Sequence, residues 1–114
     1  MINYEIIGRR ITETRKLRRI TQALLAERAN LSESFISHIE NANKKASLQS
    51  LVDIAGAMNI TVDSLLCGNQ PSRRDDYRCD VLLLIEDCTG YEKRIIMEQI
   101  ISLKESLRNN QCLI

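Results

Sequence analysis

One stretch constrains the fold more than any other: Thr21 to Asn41, TQALLAERANLSESFISHIEN. It reads as two short helices joined by a sharp turn. Ala23, Leu24, Ala26 and Ala29 give the first helix a small apolar face. Asn30 breaks it, because asparagine tolerates the left-handed backbone that a tight turn needs. Ser32 then offers an N-cap hydroxyl. Phe35, Ile36 and Ile39 lie on the buried side of the second helix, at i, i+1 and i+4. Its other side carries Glu33, Ser34, Ser37 and His38, all polar and short enough to sit close to a flat partner. Ala26 leaves room where the two helices cross.

The flanks supply the rest of an aliphatic helical core. Tyr4 to about Arg18 reads as a helix with Ile7 and Ile11 on its inner stripe and Leu17 as an extension. After a polar loop, Ala42 to Ala46, Ser47 caps a helix in which Leu48, Leu51, Val52, Ile54, Ala55 and Met58 recur at helical spacing. Thr61 is read as the cap of a short fifth helix, with Asp63 in its first turn and Val62, Leu65 and Leu66 closing the core. Gly68 and Pro71, among polar neighbours, mark a boundary at 68–76, and Ser72 with Asp75 fits a capping box. Beyond it, Tyr77, Val81, Leu84, Ile85 and Cys88 fall on one helical face. Thr89 and Glu92 form a T-x-x-E capping box, which starts a new helix reaching about Asn109. Its stripe holds Ile96, Ile100, Leu103 and Leu107, flanked by Ile95, Met97 and Ile101. Gln111 to Ile114 reads as a frayed tail. Two helices alone cannot cover so broad a stripe. Either the pair packs on the first domain or it packs on a second copy of itself; the four-helix dimer is favoured.

Composition excludes several classes. Of 114 residues, 44% are hydrophobic and 27% charged, which is ordinary for a globular protein, and only 4% are aromatic, few for stacking on bases or sugars. No apolar run approaches the ~20 residues of a membrane span, and residues 2–5 carry no basic or apolar leader features; the expectation is a cytoplasmic, nucleoid-associated protein. Net charge is +1, but basic residues cluster at Arg15, Lys16, Arg18 and Arg19 and at Lys44 and Lys45. Both clusters flank the helix pair, where phosphates would pass if its second helix lay in a major groove. Cys67, Cys79, Cys88 and Cys112 show no C-x-x-C spacing and His38 is the one histidine, so no metal is expected, and the thiols are read as reduced and mostly core. No nucleophile–base pair or glycine-rich phosphate loop is present, so neither an enzyme nor a cofactor is expected.

Two helices, a short turn and a polar outer face describe a helix-turn-helix. IGRRI at 7–11, ITQALLAERANLS at 20–32, FISHIEN at 35–41 and SLQSLVDIAGAMNITVDSLL at 47–66 resemble the helix-turn-helix family of Cro and the phage repressors, also called the xenobiotic-response-element family. Gln22 after Thr21, Ala26, Ile36, Glu40 and Asp63-x-Leu65-Leu66 fit together. Arg19, Asn30 and Ala42 stand where the family favours Gly, and Ala46 where it often has Pro. A Cβ at Ala42 would be strained in a left-handed backbone, so that loop is expected to be slightly remodelled. Thr14 stands where the family prefers Leu, which thins the packing of the first helix.

The resemblance implies an all-α protein: a five-helix repressor-like DNA-binding domain at 1–67, a linker at 68–76 and a C-terminal helical hairpin at 77–114. It implies base contacts from Glu33, Ser34, Ser37 and His38 in the major groove; for Glu33, electrostatic support of its own helix start is the alternative. Phosphate contacts are assigned to Thr21, Gln22, Ser32, Asn43, Lys44 and Lys45, with helix capping as the alternative for Gln22. Arg15 and Glu40 are expected to form a structural ion pair. Tyr77, Val81, Leu84, Ile85, Ile96, Ile100, Leu103 and Leu107 are assigned to a homodimer, which would present two reading helices ~34 Å apart to a pseudo-palindrome in double-stranded DNA. The resulting expectation is a repressor. The competing one is a protein-interaction module, or a regulator whose hairpin docks a protein antagonist.

Overall fold

Seven α-helices and no strand make up the described residues, 1–69 and 77–110, of the computed structural model. They are α1 (Tyr4–Leu17), α2 (Gln22–Ala29), α3 (Glu33–Glu40), α4 (Leu48–Ala57), α5 (Val62–Leu66), α6 (Arg78–Ile85) and α7 (Gly90–Asn109). The chain divides into two units, Met1–Asp80 and Val81–Ile114. The Ser72/Asp75 capping box, most of the linker, and the tail with Cys112 lie outside the described residues.

In the first unit α1 packs on α3 and α5, α2 on α3 and α4, and α4 on α5. Ile7, Ile11, Leu25, Ile36, Ile54, Met58 and Leu65 are its largest fully buried side chains. Each early helix begins at a side-chain cap. Asn3 accepts from the Glu5 and Ile6 amides, Thr21 from Leu24, Ser32 from Phe35 and Ser47 from Ser50, which satisfies amides that the helix leaves free.

The first four helices also end alike. Arg19, Asn30, Ala42 and Asn59 have φ of 58°, 57°, 59° and 57°. Each donates its amide three residues back, and the next residue donates five back: Arg19 to Lys16 and Ile20 to Arg15, Asn30 to Glu27 and Leu31 to Ala26, Ala42 to Ile39 and Asn43 to His38, Asn59 to Gly56 and Ile60 to Ala55. These are Schellman ends with a left-handed residue just past the helix. Ile20, Leu31 and Ile60 follow the left-handed residue and pack against the core, but after α3 that place holds the exposed polar Asn43. The loop after α3 is therefore not remodelled around Ala42. Three backbone hydrogen bonds close it, the third from the Lys44 amide to the His38 carbonyl, and they hold alanine in the strained region that glycine would occupy freely.

Several packing expectations need correction. The buried face of α2 is Leu25, Ala26 and Ala29, whereas Ala23 is exposed and Leu24 half-buried. Leu17 is exposed at the end of α1. Leu48 and Val52, at 72% and 47% exposure, lie on the outer face of α4, one turn apart. Thr61 occupies the N-cap of α5, but its hydroxyl meets the Ser64 hydroxyl (3.4 Å) and no backbone amide. Of the described cysteines only Cys67 is buried; Cys79 is exposed and Cys88 half-buried. Burial, with the neighbouring Cys79 thiol, pushes the Cys67 thiol up to about 11, so it stays protonated at neutral pH.

In the second unit α7 starts at a full capping box. Thr89 Oγ1 accepts from the Glu92 amide, and the Glu92 carboxylate accepts from the Thr89 amide. No residue of α6 or α7 is buried, and the apolar side chains of both helices remain largely open.

Candidate nucleic-acid interface

The outer face of α3 is built from its N-terminal turns. Glu33 and Ser34 are exposed; Ser37 and His38 are half-buried further along the same helix. The cap hydroxyls of Thr21 and Ser32 are exposed at the starts of α2 and α3. Each accepts a backbone amide, at 3.1 and 3.0 Å, and keeps its own O–H to donate. Asn43, Lys44 and Lys45 are exposed just beyond α3. Lys45 Nζ lies 5.8 Å from the centre of the Tyr4 ring, a cation–π contact that holds the lysine against the start of α1.

Behind this face, the end of α3 is fixed by one carboxylate. Glu40 is 4% exposed and Arg15 11%. Glu40 Oε2 accepts from Arg15 Nε at 2.9 Å, and Oε1 accepts from Arg15 Nη2 at 3.1 Å. Thr12 Oγ1 (2.9 Å) and Gln22 Nε2 (3.1 Å) also donate to Oε1. The remaining arm of Arg15 donates to the Ile20 carbonyl. α1, α2 and α3 therefore meet at Glu40. Burial alone would raise this carboxyl, but the hydrogen bonds from Arg15, Gln22 and Thr12 and the Arg15 charge outweigh it and hold the group below the ordinary glutamate value. Gln22 does not act as the helix cap, a role Thr21 fills; its amide faces Glu40.

Two members of this junction escape sequence reasoning. Thr12 is one, since a threonine next to Ile11 carries no signal of a buried acceptor 28 residues away. Gly8 is the other. A Cβ there would sit 2.5 Å from the Glu40 carbonyl oxygen and 2.7 Å from that of Ile39. Glycine lets the α1 backbone touch the last turn of α3. A glycine beside Ile7, on the buried stripe of a helix, is the trace of that approach in the sequence.

Among the described residues no group of His, Cys, Asp or Glu is placed to hold a metal, and no helix is long and apolar enough to cross a membrane. The arrangement suits recognition of a charged, grooved surface: short polar groups lead, cations flank, and a buried ionic junction sets the angle of the leading helix.

Comparison with known proteins places this geometry. A family profile described as Helix-turn-helix matches residues 11–65. The chain is 43% identical over 60 residues to the immunity repressor protein of Bacillus phage phi105, an alignment covering 53% of this chain and 42% of the phage protein. It is 39% identical over 61 residues to the uncharacterized HTH-type transcriptional regulator YazB of Bacillus subtilis (strain 168), covering 54% of this chain and 88% of that one. The chain thus spans less than half the length of the phage relative and most of the bacterial one. Among solved structures, a chain of the SinR protein/SinI protein complex superposes with a TM-score of 0.57 at 26% identity, covering 92% of this chain and 99% of that one. The chain therefore belongs to the helix-turn-helix family of transcriptional regulators that includes the phage repressors.

Proposed function

We propose that this chain is a sequence-specific DNA-binding transcriptional regulator, a dimeric repressor that reads a pseudo-palindromic operator with α3 in the major groove. The observation that carries the reading is the locked α3. Its end is anchored to α1 and α2 through Glu40, while Glu33, Ser34, Ser37 and His38 line its outward side. A reading helix must hold its angle against base edges, and a fourfold-bonded buried carboxylate supplies that rigidity. Ser34, Ser37 and His38 donate or accept at base edges, and Glu33 accepts from cytosine N4. Thr21, Gln22 and Ser32 on one flank and Asn43, Lys44 and Lys45 on the other meet phosphates. Repression follows from occupancy of a promoter.

The dimer rests on the second unit. Val81 and Leu84 of α6, with Ile100, Leu103 and Leu107 of α7, are 40% exposed or more. Ile85 and Ile96 join them on these helices, and Tyr77 stands just before α6. An apolar surface of this kind on a small helical unit marks an association site. Two copies give a four-helix assembly, so that the dimer carries two α3 helices.

Binding to duplex DNA across a salt series tests the reading. Phosphate-driven association weakens steeply as salt rises, with a slope set by the cations engaged. A second reading has its own support: the apolar α6 and α7 could dock a protein antagonist, and one structural neighbour is solved in a protein–protein complex. An interaction module without DNA function would bind duplexes weakly at every salt concentration.

A further inference from the structure

We infer that Glu40 is a positioning residue for DNA binding, holding the Gln22 amide in the one orientation that presents an N–H to a phosphate. This rests on the placement of Gln22 at the DNA backbone proposed above. Gln22 is the first residue of α2 and is half-buried. Its Nε2 donates to Glu40 Oε1 at 3.1 Å. Glu40 is the last residue of α3 and is itself fixed by Arg15 and Thr12.

The chemistry sets the direction of the amide. An ionised carboxylate only accepts, so the nitrogen edge of Gln22 must face it, never the carbonyl oxygen. The Arg15 ion pair that keeps Glu40 ionised therefore also keeps Gln22 from turning over. One N–H goes to Glu40 and the second remains to donate. A free glutamine would lose its rotamer freedom on meeting a phosphate, whereas Gln22 has lost it already in the folded domain. The same carboxylate that ties α1 to α3 thus prepares a contact on α2.

The test compares wild type, Gln22→Ala and Gln22→Asn on a duplex enriched from a random pool, with circular dichroism to establish that each is folded. Asparagine keeps an amide at this helical position but is one methylene too short to reach Glu40. The expected result is that both variants lose affinity alike, roughly tenfold per half-site. Because glutamine is neutral and phosphate contacts carry no base information, the salt slope and the preferred sequence stay unchanged. Thr12→Val, which removes another donor to the same oxygen, is expected to lower stability and leave DNA affinity within twofold. Wild-type affinity in Gln22→Asn, or a loss in Thr12→Val as large as in Gln22→Asn, overturns the positioning role while the DNA reading stands. Absence of any duplex binding by wild type at low salt refutes the DNA reading and this inference together.

Discussion

Replacing Glu40 with alanine removes the acceptor for four hydrogen bonds, from Thr12, Gln22 and both the Nε and Nη2 of Arg15. The Arg15 guanidinium, 11% exposed, would keep only the Ile20 carbonyl. Leaving one charge of a buried pair without its partner costs about 3–5 kcal/mol. A domain of this size has a total stability of roughly 3–10 kcal/mol, so Glu40→Ala takes about three-tenths of it at the least. Removing both charges should cost less than removing one. In Arg15→Met/Glu40→Leu no buried charge is stranded, and such apolar replacements are often neutral or better by about 1–4 kcal/mol. Thr12 keeps the Gly8 carbonyl as an acceptor at 3.0 Å, and only the Gln22 donor would lose its acceptor, at about 1–3 kcal/mol, so the double variant should stand above Glu40→Ala. Urea unfolding followed by circular dichroism measures all three. A Glu40→Ala loss under 1 kcal/mol, or a double variant no more stable than the single, would refute the account of this junction.

Other expectations follow from neighbouring features. Ala42→Gly relieves about 1–2 kcal/mol of left-handed strain and gives back about 0.4–1 kcal/mol through the freer unfolded chain, so a net gain near 0.5–1 kcal/mol should appear in the same unfolding assay. Gly8→Ala drives a Cβ to 2.5 Å from the Glu40 carbonyl oxygen; the helices must part, and a loss of about 3 kcal/mol in urea unfolding is expected. Because the folded-state pKa of Glu40 is lowered, its contribution is full above the ordinary glutamate range and disappears as pH falls through the depressed value. The stability gap between wild type and Glu40→Gln, followed by denaturation at stepped pH, should therefore close in acid. Ile100→Asp places a charge in the apolar stripe of α7, which should shift the sedimentation coefficient to that of a monomer and weaken operator binding.

Much of this fold is legible in the sequence because its punctuation is local. Asn3, Thr21, Ser32, Ser47 and Thr89 each cap a helix within three residues, and the capping box at Thr89 needs no tertiary context. Periodicity is less decisive in short helices. The run from Ala23 to Ala26 is apolar throughout, so it does not tell Leu25, which is buried, from Ala23, which is not. Leu48 and Val52 fit the spacing of α4 but fall at the margin of its apolar arc, where a residue turns outward. The left-handed ends at Arg19 and Ala42 carry neither the Gly nor the Asn that marks such a position in a sequence, so only family resemblance points to them, and the paired backbone hydrogen bonds show why the conformation persists.

The candidate site divides in the same way. The outward residues of α3 follow from the pattern of the two helices and from family resemblance. The Arg15–Glu40 pair is a matter of resemblance in the sequence and of 2.9 Å geometry in the structure. Gly8, Thr12 and the Gln22–Glu40 hydrogen bond depend on three helices meeting, with partners separated by 18 to 28 positions for the two side-chain bonds. Local pattern carries no information about contacts at that range.

The central claim is tested most directly by offering the protein a random pool of duplex DNA at low salt, selecting bound sequences, and measuring the stoichiometry of the complex by analytical ultracentrifugation. The account predicts a pseudo-palindrome with half-sites about one helical turn, ~34 Å, apart, bound by two copies of the chain and released steeply as salt rises. A protein that enriches no sequence at low salt would contradict it.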